Sequence, residues 1–165
     1  MKIRQLYKNW VQFWFLCCII FVICASTHAQ KKSKYKCEEL QPESMCNANN
    51  TCGLDSSPCT VDITRSGSSS NVKPSTPTAS KNELFCIKSG TTVVWKSSKK
   101  NTGFLVSFGS DSPFEPDGPI TGGGKKQVTT KAVTPGCYKF DAGAFISGTV
   151  YGMSGGNKAE LVILP

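Results

Sequence analysis

From residue 57 onward the chain repeats one kind of segment, a short run of β-branched or aromatic residues closed off by Gly, Pro, Ser or Asn. Thr60-Val61-Asp62-Ile63-Thr64 alternates apolar and polar positions with a period of two, the pattern of a half-buried strand. Residues 83–88 and 91–96 read as two strands split by Ser89-Gly90, and 104–108, 127–132, 137–141 and 159–164 complete about eight. Residues 66–81, rich in Ser, Pro, Thr and Gly, predict a long exposed loop. Residues 109–124, with three prolines and five glycines, predict another. No stretch sustains an apolar spacing of 3.6, so no amphipathic helix is predicted. Many short strands with glycine and proline turns make an all-β sandwich or barrel.

The period of two also assigns faces. In 137–141, Tyr138 and Phe140 share the core face, leaving Cys137, Lys139 and Asp141 on the other. In 84–88, Phe85 and Ile87 face the core, while Leu84, Cys86 and Lys88 point away. Cys86 and Cys137 therefore both lie off the aromatic face, where one disulfide joining two strands is expected.

The N-terminus follows a different rule. Lys2, Arg4 and Lys8 precede an apolar stretch over 13–25, and Thr27-His28-Ala29 supplies small residues for cleavage, so residues 1–29 read as a secretory signal peptide. The run is shorter than the roughly 20 apolar residues of a membrane span, and membrane attachment is expected only if this segment stays uncleaved. Cleavage after Ala29 leaves 136 residues, divided into a basic, Cys-rich segment over 30–56 and a sandwich domain over 57–165. It also removes the chain's one histidine, His28, and three of its nine cysteines. The six that remain are Cys37, Cys46, Cys52, Cys59, Cys86 and Cys137. An even number in an exported chain reads as disulfides and places the protein outside the cell or in a periplasm. The first four lie among Glu, Asn, Ser and Pro with hardly any large apolar residue, so two disulfides are expected to staple 37–59 into a small lobe. No Cys-x-x-Cys pair is present to favour zinc. Asn49-Asn50-Thr51 is a glycosylation sequon in a eukaryotic host.

The mature charge, 16 basic against 11 acidic residues, is a net +5. Lys31, Lys32, Lys34 and Lys36 crowd the new N-terminus, a solvated tail with weak attraction to anionic surfaces. Nucleic acid is not expected as a partner of an exported chain of this modest charge.

Several of these segments resemble the cupredoxins, the plastocyanin and azurin superfamily. They are the first strand, Gly90-Thr91-Thr92-Val93-Val94-Trp95, the loop Ser112-Pro113-Phe114, and Thr134-Pro135-Gly136-Cys137-Tyr138-Lys139-Phe140. Together they span about two thirds of the chain, with Thr91 where the pattern has an acid. The resemblance implies a cupredoxin-like Greek-key β-sandwich. In copper-binding members it also implies two histidines, a cysteine and a methionine, because two imidazoles, a thiolate and a weak axial thioether suit copper. Carried over, the first histidine position falls near Thr102 or Gly103 and the thiolate on Ala142. The loop over 143–152 has no histidine, and Met153 is the one ligand type that survives. No bound metal or other cofactor is expected.

Without histidine the mature chain has no Ser-His-Asp arrangement. Asp111, Glu115 and Asp117 sit in a Pro/Gly loop as turn-forming acids, and Gly122-Gly123-Gly124-Lys125-Lys126 precedes a strand rather than a helix, as a hairpin turn does. An enzyme is therefore not expected. The leading expectation is an exported, copper-free binding or structural module whose partner is an unknown protein or polysaccharide. Loops at one end would carry recognition, with Phe114, Phe145 and Tyr151 as candidate contacts. Two other readings remain: copper binding or electron transfer through atypical ligands, including a copper(I) site of Cys86, Cys137 and Met153, and adhesion to anionic surfaces through the lysine tail with Lys96, Lys99 and Lys100.

Overall fold

The computed structural model describes residues 35–53, 57–78 and 80–165. The expected signal segment and Lys31, Lys32 and Lys34 lie outside them. Eleven strands are described: β1 (Cys59–Ser66), β2 (Ser69–Pro74), β3 (Phe85–Lys88), β4 (Thr92–Lys96), β5 (Gly103–Ser107), β6 (Phe114–Glu115), β7 (Ile120–Gly123), β8 (Val128–Ala132), β9 (Gly136–Ile146), β10 (Thr149–Tyr151) and β11 (Ala159–Leu164). One sheet runs β2-β1-β4-β8-β6 and the other β3-β11-β9-β5-β7, with β10 folded back on the end of β9. The expected all-β sandwich forms, and its strand neighbours are mostly non-sequential, the Greek-key kind of connectivity.

The core between the sheets is aromatic. Trp95, Phe85, Phe104, Phe114 and Phe140 are all fully buried. Phe114 and Phe140 meet the Trp95 ring edge-on at centroid distances of 5.6 and 6.1 Å, the geometry that opposes ring edge to ring face. Trp95 Nε1 donates to Thr130 Oγ1 at 2.9 Å, which satisfies the indole's one donor inside the core.

Two expected loops contain strands. Residues 69–74 form β2, joined to β1 by a two-residue turn at Gly67-Ser68 with Ser66 opposite Ser69. Its alternation is carried by Ser70, Val72 and Pro74, of which only Val72 is an ordinary apolar core residue, so composition hides the strand. Residues 109–124 hold β6 and β7, and 143–151 continue β9 and form β10, because pairing with β8, β5 and β9 overrides weak local preference.

The face assignments hold, with Phe85, Ile87 and Phe140 in the central core. The disulfide pairing differs from expectation. Cys86 and Cys137 are not joined to each other: Cys37 bonds Cys137, Cys46 bonds Cys86, and only Cys52–Cys59 lies within the N-terminal segment. The segment is fastened to the outer face of the second sheet. There Leu84, Cys86 and Val162 form a second small cluster with Cys46, Cys137 and Leu164. Cys37 N donates to the Glu160 carboxylate at 2.8 Å, and Lys139 pairs with Glu38 at 2.7 Å. Cys52 N donates to the Cys86 carbonyl and Cys86 N to the Asn50 carbonyl, closing the edge of β3. A segment too polar to form its own core thus completes the sheet's second face.

Candidate functional site

Each strand of the second sheet that reaches the loops 97–102, 124–127 and 147–148 presents two faces. On the inner face, β5 and β9 pair Val106 with Ala142 and Phe104 with Ala144. All four side chains are buried. Ser70, itself fully buried, donates its hydroxyl to the Ala142 carbonyl at 2.7 Å and its amide to the Gly152 carbonyl at 2.8 Å. Met153 bridges Ser70 and packs half-buried against the core.

The copper-ligand positions carried over from the sequence resemblance fall in this region. The residue beside Ala142 is Val106, because the register sets Gly103 opposite Phe145, three pairs away. Of the two positions carried over for the first histidine, Thr102 is buried ahead of β5 and Gly103 belongs to its outer face, while the inner position opposite Ala142 is the aliphatic Val106. The groups gathered here are the Ala142 and Val106 side chains, a serine hydroxyl already donating to a carbonyl, and one thioether. They do not fit copper, which needs imidazole and thiolate donors. A copper(I) site of Cys86, Cys137 and Met153 is not assembled either. Both cysteines are in disulfides on the outer side, whereas Met153 packs on the inner core.

The outer face of the same strands is different. Across it runs one lateral row, Gly123 on β7, Gly103 on β5, Phe145 on β9 and Val150 on β10, each paired with the next. In the adjoining row Thr121 pairs with Leu105 and Leu105 with Gly143. The Phe145 ring lies across Gly103, where any β-carbon would collide with it. Phe145 is still 38% exposed, Leu105 37% and Val150 66%, so three large apolar side chains share one exposed patch.

Of the candidate contacts, Phe145 is on this patch, whereas Tyr151, paired with the buried Ala144, is on the other face of β10, half-buried under the Arg65 guanidinium, 4.0 Å from its ring centroid. Phe114 is not at the surface: it is 1% exposed and packs against Trp95 and Phe108. A Pro/Gly-rich neighbourhood made it look like a loop residue, but β6 pairs with β8 and turns its ring inward. Val150 and Leu105 were not singled out from sequence; their alternation was legible in principle, but neither strand's outer face was known to lack a cover.

The acids and lysines of the loops separate. Asp111, Glu115 and Asp117 are exposed at the end where β5 stops and β7 starts, with Ser110 Oγ donating to Asp111 and Gly118 N to Asp117. Gly122 to Lys126 forms the expected tight turn, closed by Gly123 N to Lys126 O at 2.9 Å and Lys126 N to Gly123 O at 3.0 Å. Among the described residues no three His, Cys, Asp or Glu side chains converge as a metal site would need, and no helix is long and apolar enough to cross a membrane.

No protein-family model matches the chain, and no curated protein matches it in sequence. A search of solved structures finds similarity to an oxidised point mutant of amicyanin, 12% identical, covering 71% of this chain and 93% of that one with a TM-score of 0.36. At that TM-score the likeness adds nothing to the sheet topology.

Proposed function

We propose that this chain is an exported, copper-free cupredoxin-like module that binds a partner rather than catalysing a reaction. The observation that carries the reading is the filled interior beside Ala142. Val106 takes the neighbouring inner position, and the Ser70 hydroxyl and amide tie β2 to Ala142 and Gly152 where the resemblance would put a metal centre. The three disulfides agree with an oxidising compartment. The loss of histidine with residues 1–29 leaves no imidazole for acid-base chemistry near neutral pH. The exposed row of Phe145 and Val150 with Leu105 supports this reading as the surface for recognition.

The test is metal content, visible absorption and thiol titration of the exported protein. The expected result is no stoichiometric copper, no intense blue absorption after copper(II) addition, and no free thiol under denaturing conditions. A coloured one-to-one copper complex would establish the atypical-ligand reading instead.

A further inference from the structure

We infer that the end of the sandwich carrying Phe145 and Val150 docks on an anionic lipid bilayer. This deepens the reading of the chain as a binding module, and its test does not depend on metal content. The inference rests on what the topology adds to the apolar row. Lys99 and Lys100 lie on the turn that leads into Gly103, closed by Thr102 N donating to the Lys99 carbonyl at 3.0 Å. Lys125 and Lys126 lie on the turn that leaves Gly123. The two turns are joined, since Gly124 N donates to the Thr102 carbonyl at 3.0 Å. Two lysine pairs separated by 24 residues in sequence therefore flank the same end of the row that runs through Gly123 and Gly103 to Phe145 and Val150. All four lysines are exposed. Among the described residues the ion pairs formed are Lys139–Glu38 and Lys158–Asp141, neither of which engages them.

The surrounding sequence keeps this positive charge from being neutralised. There is no Asp or Glu from 63 to 82, from 84 to 110, from 118 to 140 or from 142 to 159, and these stretches supply every loop at this end. Asp62 is the carboxylate that the register brings near, opposite Lys73 and beside Lys96, and its Oδ1 accepts the Ser98 amide at 2.7 Å. Arg65, over Tyr151, adds a further positive charge on the other face of β10. A soluble polyanion would be satisfied by the lysines alone. Exposed Phe145 and Val150, in the row that ends at these lysine turns, call for a partner with both a negative surface and an apolar interior, which a bilayer containing anionic lipids has. The β9–β10 hairpin would place its apolar side chains at the headgroup boundary while the lysine turns contact phosphates.

The experiment is flotation of the exported protein with vesicles of phosphatidylcholine, alone or mixed with phosphatidylglycerol, alongside retention on immobilised heparin. Binding is expected with the anionic vesicles only, and to fall as added salt shortens the screening length to about 3 Å near 1 M. The quadruple variant Lys99→Glu, Lys100→Glu, Lys125→Glu, Lys126→Glu is expected to lose at least about tenfold in vesicle partitioning, with an unchanged far-UV spectrum. Phe145→Ser with Val150→Ser is expected to weaken vesicle binding several-fold while leaving heparin retention in place. Because each variant differs from the parent only at the substituted positions, any contribution of the lysine-rich N-terminal segment cancels. No binding to anionic vesicles at low salt would overturn the inference, as would binding that survives charge reversal. Vesicle binding indifferent to the Phe145 and Val150 substitutions would overturn it too, since the lysines would then be reading polyanions in general.

Discussion

Gly123 and Gly124 are neighbours with positive φ, 127° and 64°, yet they answer to different constraints. A β-carbon at Gly123 would run into the Gly103 backbone and lie 2.6 Å from the Thr102 carbonyl oxygen, so neither the conformation nor the space admits a side chain. At Gly124 the nearest atom is the Lys100 carbonyl oxygen at 3.5 Å, which is ordinary contact, and only the left-handed backbone disfavours alanine. Gly123→Ala is therefore expected to cost about 2–3 kcal/mol and Gly124→Ala about 1 kcal/mol, compared by urea unfolding. Similar costs for both would mean that the two turns are not held together as described. Tyr138 gives a pH-dependent counterpart. Burial first, and the Asp111 carboxylate second, push its phenol above the ordinary tyrosine value. Its hydroxyl donates to the Thr134 carbonyl at 3.0 Å, a bond that only the protonated form makes. A raised folded-state pKa means that the unfolded chain ionises first, so this stabilisation is intact below pH of about 10 and is lost as pH rises through the folded value. Tyr138→Phe should flatten the alkaline decline in stability, followed as the urea midpoint against pH. At this scale the sequence was readable where burial follows alternation, as at Phe85, Ile87 and Phe140. It was not readable at Phe114, where surrounding prolines and glycines mask a residue that a two-residue strand turns inward.

Among the elements, the N-terminal segment shows how covalent bonds substitute for apolar area. Its two short 3-10 turns, Lys36–Glu38 and Pro42–Met45, contain no buried residue. Two disulfides nevertheless set it against β9, β11 and β3, where it covers Leu84 and Val162. Sequence separations of 100, 40 and 7 give chain-entropy contributions of about 4.7, 3.9 and 2.4 kcal/mol. Replacing both cysteines of a pair by serine is thus expected to destabilise most at Cys37–Cys137 and least at Cys52–Cys59, ranked by denaturant midpoint. Loss of Cys46–Cys86 should also open residues 35–53 to protease before the sandwich unfolds. The six cysteines beyond residue 29 were legible in the sequence, but their partners were not. Pairing depends on which strands become neighbours, and β3 and β9 each lie under a different part of the segment.

At the scale of the molecule the sandwich is closed by distant pairings. β1 lies parallel to β4 with Cys59 opposite Val93, and β3 lies parallel to β11 with Phe85 opposite Leu161. Because loop closure precedes any reward from such contacts, refolding of the disulfide-intact protein is expected in milliseconds to seconds rather than microseconds, measurable by Trp95 fluorescence in stopped flow.

The chain's own order determined the class of fold: alternation with period two requires sheets with one apolar face, and beyond residue 29 the sequence holds six cysteines and no histidine, which narrows the side-chain chemistry of that part before any contact is known. Local order could not determine what faces what. The aliphatic pair Val106–Ala142, the cover over Leu84 and Val162, and the meeting of Lys99-Lys100 with Lys125-Lys126 beside Phe145 all depend on register between strands far apart in sequence. Register is a property of the packed sheets, fixed when each strand's apolar face is buried against the others, and a single residue of slip would exchange every inner side chain for an outer one.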